Sequence, residues 1–398
     1  MTTALEGVRV LDCSGVASFG TMVLADFGAE VTKVGAVPDA LRHPRQTTGS
    51  RWDPEQQVDA ARGAAYDATQ RGKRSILLNL KDEAAREVIY KLIPEMDVFV
   101  ESFRPGVTTR LGVDYDTLAA LNPRLIYCAL TGYGQTGPYR DRPGHDLNYI
   151  AVGGALAITR RAGQPPTIPI NLLADFAGGA LYVSLAVCLA LLARERTGRG
   201  QYIDMAMSDG VLSLQTALYN GFFEAGEMVK PGEYFLNGGV PFYEVYECAD
   251  GSWISVACLE PHFFRNLCSA LELDEFRDRQ FDSAAYGPLR ERLRTLFAGR
   301  PRDEWIDHFA AHDVCVAPVL EMPEVVTNEQ TQARAMIVDV TSAIGAVQQI
   351  GVAPKLSETP GQPGPAGPRP GQHTDDVLAA LGWDEAAIAA LRTRGAIA

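Results

Sequence analysis

Hydrophobic residues in the first 130 positions fall in short runs separated by amphipathic stretches. Five runs rich in β-branched and aromatic residues predict buried strands: residues 8–11, 31–34, 75–78, 98–100 and 125–127. Three stretches with helical spacing lie between them: residues 21–27, 83–92 and 115–121. This alternation predicts an α/β fold with a doubly wound, Rossmann-like parallel sheet.

The second half of the chain changes pattern. A strand over 202–205 and a helix over 209–225 lead into a linker rich in glycine and proline. Further strands and helices then alternate irregularly, which predicts a smaller α+β domain. We expect a large domain over 1–205 completed by a C-terminal return over 345–398. A connecting helix and linker over 206–240 would lead to the small domain over 241–330.

Residues 176–193 form an uncharged run of 18 residues directly after Asp175. This length is the lower limit for a membrane span. The run is isolated and rich in small residues, and core helices can be apolar on every face. We therefore expect a buried core helix and no membrane span.

Composition narrows the possible partners. The net charge of −13 argues against nonspecific binding to nucleic acid or to anionic membranes, because both require a basic surface. Seven cysteines are scattered without a C-x-x-C pair, which favours reduced thiols in a cytoplasmic protein. The first residues, MTTALEGVRVLD, lack the pattern of a signal peptide.

The first strand–helix turn does not carry a nucleotide-binding fingerprint. Gly15 and Gly20 have the spacing of a P-loop, but Thr21 stands where lysine is required, and G-x-G-x-x-G is absent. Basic residues cluster elsewhere, at Arg71-Gly72-Lys73-Arg74 and from Arg104 to Arg110. These side chains either hold phosphate groups of a ligand or form solvated surface, and the spacing leaves both interpretations open.

Three residues are candidates for proton transfer. His145 lies beside Asp146 in the segment Gly144–Tyr149, and imidazole titrates near neutral pH. Asp175 precedes the apolar run and is explained equally well as a helix N-cap. Glu260 ends an apolar run; it is either a solvated strand end or, in an apolar cleft, a carboxyl with a raised pKa.

The chain resembles the family III CoA-transferase superfamily, which has the carnitine CoA-transferase-like fold, and within it the α-methylacyl-CoA racemases. The matching segments extend over nearly the whole chain: L-E-G-V-R-V-L-D (5–12), L-A-D-F-G-A-E-V (24–31), R-G-K-R-S (71–75), F-R-P-G-V (103–107), G-Y-G-Q-T-G-P (132–138), G-H-D-L-N-Y (144–149), N-L-L-A-D-F-A-G-G (171–179), T-G-R-G-Q-Y-I-D (197–204), Y-E-C-A-D-G (246–251), L-E-P-H-F (259–263) and G-Q-H-T-D-D-V-L (371–378).

The resemblance implies racemisation of 2-methyl-branched acyl-CoA thioesters through an enolate. His145 paired with Asp175 would serve one face of the α-carbon, and Glu260 would serve the other. Transferases of the superfamily use an aspartate at the position of Asp175 as a nucleophile and generally lack the other two residues. The racemase interpretation is therefore favoured, with a CoA-transferase as the alternative.

The resemblance also assigns binding residues, all of them for coenzyme A as part of the substrate, with no separate cofactor and no metal. The implied set is Arg71, Lys73, Arg74, Glu101, Ser102, Phe103, Arg104, Arg110, Gly144, Asp146, Leu147, Asn148 and Tyr149. It further implies an interlocked homodimer in which Glu260 acts in trans to His145 and Asp175.

Three departures from the racemase pattern bear on the substrate. Residues 34–38 read V-G-A-V-P in place of a charged segment, residues 39–70 do not match, and Asn237 stands where racemases carry aspartate. These changes motivate a third interpretation, an acyl-CoA-binding or regulatory protein without turnover.

Overall fold

The computed structural model of the chain describes residues 2–37 and 59–398. Pro38 and residues 39–58, on which two of the sequence departures fall, lie outside the described residues. The chain divides into two compact units. The first unit contains Met1–Gly153, Ile170–Leu214 and Glu329–Ala398, and the second contains Gly154–Pro169 and Gln215–Asn328.

The described strands are β1 Arg9–Cys13, β2 Glu30–Gly35, β3 Lys73–Leu77, β4 Val98–Glu101, β5 Ile126–Thr131, β6 Tyr202–Ala206, β7 Tyr243–Glu247, β8 Trp253–Ala257, β9 Val316–Pro318, β10 Ile337–Ser342 and β11 Gly345–Ile350. The described α-helices are α1 Ser18–Asp26, α2 Ala60–Ala65, α3 Glu83–Leu92, α4 Val107–Leu111, α5 Tyr115–Leu121, α6 Asp146–Val152, α7 Ala155–Ile158, α8 Leu181–Thr197, α9 Met207–Ser213, α10 Tyr219–Ala225, α11 Pro261–Ala270, α12 Ser283–Phe297, α13 Arg302–Phe309, α14 Met322–Thr327, α15 Glu329–Ala333, α16 Thr374–Ala380 and α17 Glu385–Thr393. A π-helical segment, Leu172–Ala180, runs directly into α8. Short 3₁₀ turns cover Ala68–Gln70, Ile93–Glu95 and Asp274–Phe276.

The first unit is built on a six-stranded parallel sheet in the order β3-β2-β1-β4-β5-β6. Val10 in the centre of β1 pairs with Val31 on one side and Val98 on the other. All three side chains are buried, as expected for a sheet with helices on both faces. The predicted doubly wound α/β fold is therefore confirmed.

Two helices have the bounds that the sequence predicts, because aspartate side chains fix their first turns. Asp82 accepts a hydrogen bond from the Ala84 N–H at the start of α3. Asp114 accepts one from the Thr117 N–H at the start of α5. Such caps satisfy N–H groups that have no partner within the helix. The predicted helix 209–225 is wrong in one respect, since α9 and α10 are separate helices.

The second unit has its own core around the antiparallel sheet β7-β8-β9. Phe264 of α11, Leu293 of α12 and Trp305 of α13 are buried against Ile254 of β8 and its neighbours. This arrangement confirms a small antiparallel α+β region. The hairpin formed by β10 and β11 belongs to the first unit, where the sequence predicts only an extended return.

The apolar helix differs from the prediction, because it is buried on one side only. Leu181, Leu185, Leu189 and Leu192 are each between 50% and 57% exposed and follow one another along α8; we call them the leucine face. The opposite side packs closely on α1, where a side chain at Gly20 would overlap the backbone of Ala180. Among the described residues, one helical run, Leu172–Thr197, is long and apolar enough to cross a membrane. Core helices of soluble proteins share these properties, so length and composition are weak evidence for a span.

Candidate active site

A pocket of about 180 Å³ opens at the carboxyl ends of the parallel strands in the first unit. Val16 follows β1 and Ser102 follows β4, and the Ser102 hydroxyl accepts a hydrogen bond of 2.8 Å from the Gly15 N–H. The strand order reverses between β1 and β4, and ligands of doubly wound sheets bind at such a reversal. The fold therefore places this pocket where a ligand is expected.

Residues predicted for chemistry meet in this pocket. Its lining consists of Val16, Ser102, Phe103, Arg104, Pro105, Leu130, Thr131, Gly132, Tyr133, Arg140, Arg142, Pro143, Gly144, His145, Tyr149, Asp175 and Met207. His145 and Asp175 are 30 positions apart in the sequence, but both side chains face the same space. The sequence separation alone does not predict that these two residues line the same pocket.

Asp175 lies inside the π-helical segment and does not cap a helix, so the N-cap interpretation is wrong. The helical segment begins three residues earlier, at Leu172. π-Helical turns are rare and occur frequently at functional sites. The π-helical segment packs closely against α9, because a side chain at Gly210 of α9 would overlap the backbone of Gly178.

Asp146 fixes the position of Asp175 through the backbone. One oxygen of the buried Asp146 carboxylate accepts hydrogen bonds from the N–H groups of Ala174 at 2.8 Å and of Asp175 at 2.9 Å. The other oxygen is buried without a hydrogen-bond partner among the described residues. Asp146 was predicted to line the path of coenzyme A, but its carboxylate is 5% exposed and turned toward the π-helical segment. It acts in the structure as a support for Asp175.

The Asp175 carboxyl is partly buried, and burial raises its pKa above the ordinary value. The Asn171 amide opposes this shift by donating a hydrogen bond of 3.2 Å. The negative charge of Asp146 raises the pKa further, and His145 lowers it. Burial and the Asp146 charge therefore act against the ionised carboxylate, and they outweigh the contributions of Asn171 and His145, which favour it.

His145 stands at the N-cap position of α6 with an exposed side chain. Its N–H donates to the side-chain oxygen of Asn148 at 3.1 Å, and its carbonyl accepts from the Asn148 N–H at 2.8 Å. These two hydrogen bonds fix the backbone of His145 at the start of α6, where the residue lines the pocket. Asn148 and Leu147 were predicted to contact the ligand, but neither lines the pocket.

Tyr149 closes one wall of the pocket. Its hydroxyl donates a hydrogen bond of 2.5 Å to the Gly144 carbonyl, and its ring meets the Tyr133 ring edge to face at 5.1 Å. A side chain at Gly132 or Gly144 would overlap the Tyr149 ring, so both positions require glycine. Gly144 thus has a packing role beside its predicted role in ligand binding.

Glu101 lies beneath the pocket at the end of β4. Its carboxylate accepts a hydrogen bond of 2.6 Å from the Phe103 N–H, and the side chain is 3% exposed. Burial raises the pKa of Glu101 to about 7, and the bond from Phe103 opposes that shift. Glu101 therefore supports the turn that carries Ser102, Phe103 and Arg104 into the pocket.

The first basic cluster is largely internal. Arg71 is 2% exposed and forms an ion pair of 2.6 Å with Asp26. The Lys73 ammonium is fully buried, 3.2 Å from Asp12. Since both charges are already compensated inside the protein, these side chains are not presented to a ligand at the pocket. Arg74 is exposed and lines a separate cavity of about 410 Å³ with Arg369 and His373.

Asp12 is the centre of a buried polar cluster in β1. It accepts hydrogen bonds from the hydroxyls of Ser14 and Thr21 at 2.6 Å each and pairs with Lys33 and Lys73. Burial alone would raise its pKa, but the two ammonium groups and the hydroxyls outweigh burial and hold the pKa far below the ordinary value. The Asp12 carboxylate therefore stays ionised, and both of its oxygens have partners.

Glu260 belongs to the second unit, where it directly precedes α11. Its side chain is exposed within the single chain, as expected for a solvated strand end. Any role for Glu260 together with His145 stays a prediction.

Ten residues that line the pocket were not predicted as site residues: Val16, Pro105, Leu130, Thr131, Gly132, Tyr133, Arg140, Arg142, Pro143 and Met207. The signal for the two arginines was present, since Y-R-D-R-P directly precedes Gly144. Arg142 stacks on the Tyr139 ring at 3.8 Å. Within residues 2–37 and 59–398, no three side chains of the kind that bind metal ions gather in one place.

Comparisons with known proteins identify the family. Residues 5–374 match the model of CoA-transferase family III. An alpha-methylacyl-CoA racemase of Mus musculus is 36% identical over 98% of this chain and 96% of its own length. The beta subunit of a succinyl-CoA–L-malate CoA-transferase of Chloroflexus aurantiacus is 34% identical over 95% of this chain and 94% of its own.

A solved structure supports the same conclusion. The crystal structure of a CAIB/BAIF family protein from Brucella suis superposes with a TM-score of 0.81 at 30% identity. The alignment covers 96% of this chain and 100% of that chain. Fold, length and sequence agree, and the chain belongs to CoA-transferase family III, a group of enzymes that includes both racemases and CoA-transferases.

Proposed function

We propose that this enzyme racemises 2-methyl-branched acyl-CoA thioesters by 1,1-proton transfer through an enolate. The observation that carries the proposal is the meeting of His145 and Asp175 in one pocket at the switch point of the sheet. Imidazole and a carboxyl with a raised pKa are suited to remove and return a weakly acidic proton. The racemase relative at 36% identity supports the same assignment.

The proposed roles follow the two faces of a planar enolate. His145, assisted by Asp175, exchanges the proton on one face, and Glu260 exchanges it on the other. A positioned acid–base group contributes about 10²–10⁴-fold to a rate. Coenzyme A is part of the substrate in this scheme, and no further cofactor takes part. Ser102, Phe103 and Arg104 are the proposed contacts that hold the thioester in the pocket.

The test is α-proton exchange in deuterium oxide. A single enantiomer of a 2-methylacyl-CoA should gain α-deuterium and lose chirality at linked rates. Straight-chain acyl-CoA serves as a control for exchange at an unbranched α-carbon. Retention of both the proton and the configuration across a panel of branched acyl-CoA esters would reject racemisation.

A CoA-transferase is the second candidate. The observation that favours it is the similarity to a CoA-transferase over 95% of this chain, at nearly the same identity as the racemase. Asp175 would then act as a nucleophile and form a covalent intermediate with the acyl group or with coenzyme A. That intermediate would be trapped by hydroxylamine, and turnover would require a free carboxylate as acceptor. Turnover without an acceptor would reject this candidate.

We further propose that the active enzyme is a homodimer in which Glu260 acts on the pocket of the partner subunit. The leucine face of α8 supports this proposal, because four leucines at least half exposed form an apolar surface that a second copy can cover. Replacing Leu185 and Leu189 together with glutamine should produce monomers in analytical ultracentrifugation. If the double variant sediments like the wild-type protein, the leucine face is not part of the dimer interface.

A cytoplasmic location and a role in lipid metabolism complete the proposal. All seven cysteines are free thiols, which agrees with a reducing compartment. The proposed branched acyl-CoA substrate belongs to lipid chemistry.

A further inference from the structure

Two arginine side chains from different segments end at the same glycine. A Cβ atom placed on Gly106 would lie 3.6 Å from a terminal nitrogen of Arg110 and 3.8 Å from a terminal nitrogen of Arg140. Arg110 belongs to α4, and Arg140 belongs to the loop between β5 and α6. Gly106 itself adopts the left-handed conformation with φ of 77°, which keeps this spot free of a side chain. The two guanidinium groups therefore converge over bare backbone.

Two positive charges that converge in this way create a local potential that favours an anion. Among the residues that the structure describes, no carboxylate forms an ion pair with Arg110. Arg140 has Asp141 at 3.7 Å, but both side chains are exposed, and such a pair contributes little. The net positive charge at Gly106 is thus uncompensated within the described part of the first unit.

The position of this charge identifies the ligand. Arg140 lines the pocket of His145 and Asp175, as does Arg104 at the start of the same turn as Gly106. Guanidinium groups bind phosphate through paired hydrogen bonds. We infer that Arg140 joins Arg110 in one binding site for a phosphate group of the CoA ester. This inference rests on the proposed CoA-ester substrate and adds a residue that neither the motifs nor the family match assigns.

The test separates phosphate recognition from every other role. Free coenzyme A and pantetheine share the thiol arm, but only coenzyme A carries phosphates. Isothermal titration calorimetry with each ligand measures affinity without any turnover. Arg140→Ala should lower the affinity for coenzyme A about 10-fold or more, since hydrogen bonds between charged groups are strong. The affinity for pantetheine should change by no more than about 2-fold.

Further variants test the shared site. Arg140→Lys should retain part of the affinity, and Arg140→Glu should lose more than Arg140→Ala. If Arg110 and Arg140 hold one phosphate group, the combined Arg110→Ala and Arg140→Ala variant should lose less than the product of the two single losses. Arg199→Ala is the matched control, because it removes the same charge from the opposite, amino-terminal end of the sheet, before β6.

The inference is overturned if Arg140→Ala leaves the affinity for coenzyme A unchanged, or if it weakens coenzyme A and pantetheine equally. Arg140 is exposed, so its variants should fold, and thermal unfolding verifies this. Failure of the proposed function has a different signature. In that case, coenzyme A would bind and respond to Arg140 as expected, while no α-deuterium would enter any acyl-CoA ester.

Discussion

Asp12 and Asp175 are two acids of the same compact unit in opposite electrostatic environments. Asp12 is fully buried and is surrounded by Lys33, Lys73 and hydroxyl donors. Asp175 is partly buried, faces the pocket and receives one side-chain hydrogen bond, from Asn171. Burial acts to raise the pKa of both acids, but the counter-charges reverse the outcome only at Asp12.

The difference separates a structural charge from a reactive one. A carboxylate that is held far below its ordinary pKa stays ionised and contributes to folding. A carboxyl with a raised pKa and an open side can take up and release a proton during catalysis. We therefore expect substitutions at the two positions to affect different properties of the protein.

The largest effect is expected at the reactive acid. Asp175→Asn should lower the rate of α-deuterium exchange by about 10²–10⁴-fold, because the amide carries no negative charge with which to assist His145 in proton transfer. The free energy of unfolding should change by no more than about 1 kcal/mol, since the amide can keep a hydrogen bond to Asn171. Deuterium incorporation and urea denaturation measure the two quantities on the same preparation. A loss of unfolding free energy as large as that expected for Asp12→Asn would contradict this and would show that Asp175 has a structural role like that of Asp12.

The matched substitution at the structural acid should have the reverse profile. Asp12→Asn removes the counter-charge of the buried Lys73 ammonium and of the partly buried Lys33 ammonium, which should cost about 3–5 kcal/mol of folding free energy. The quantity to measure is the urea midpoint at pH 7, with Asp175→Asn as the comparison. A midpoint within experimental error of the wild type would show that the buried cluster does not depend on this charge.

Glu101 lies between these two extremes and should respond to pH. Its pKa rises from 4.5 in the unfolded chain to about 7 in the fold, so the stability that the protonated form provides is lost as the pH rises from about 4.5 through about 7. Glu101→Gln keeps an acceptor for the Phe103 N–H and removes the charge. Relative to the wild type, the free energy of unfolding of Glu101→Gln should increase by about 2 kcal/mol or more as the pH rises from 5 to 8. Urea denaturation at both pH values tests this, and a constant difference would contradict it.

The smallest effects are shifts of the pH–rate profile. The ionised form of Asp175 is the form that assists His145, so activity should fall as the pH drops through the pKa of Asp175. Asp146→Asn keeps an acceptor for the two N–H groups but removes a charge that raises that pKa, so the acidic limb should move to lower pH. Asn171→Ala removes a donor that lowers the pKa, so the limb should move to higher pH.

Opposite shifts in these two variants would be specific for Asp175, because a general loss of structure lowers activity without moving a limb in a chosen direction. The measurement is kcat/KM for α-deuterium exchange between pH 4 and 8. Shifts in the same direction, or no shift in either variant, would remove Asp175 as the titrating group.

Local patterns predicted the sheet and two helices because their determinants lie close together in the sequence. Asp82 and Asp114 cap helices that begin at the next residue, and β4 begins with three consecutive apolar residues, Val98-Phe99-Val100. The helix around Asp175 was misjudged because its start depends on Asp146, which precedes it by 29 residues. A local sequence pattern cannot predict a hydrogen bond between residues that are so far apart in the sequence.

The basic motif gives the same lesson for the site. Arg71 and Lys73 have the sequence of a ligand-binding cluster, but Asp26 and Asp12 compensate their charges across 45 and 61 residues. The resemblance names His145, Asp175 and Arg104, which line one pocket of the first unit, and Arg110, which approaches Gly106. It missed Arg140, whose importance follows from its approach to Gly106 in space.

One incubation tests the central claim, that Asp175 takes part in proton transfer and not in covalent catalysis. The enzyme is mixed with one enantiomer of a 2-methylacyl-CoA in deuterium oxide without any carboxylate acceptor, and both substrate and intact protein are analysed by mass spectrometry. We predict a substrate that gains one α-deuterium and loses its chirality, with a protein of unchanged covalent mass. An undeuterated substrate together with a protein that carries the mass of an acyl group or of coenzyme A would contradict the account.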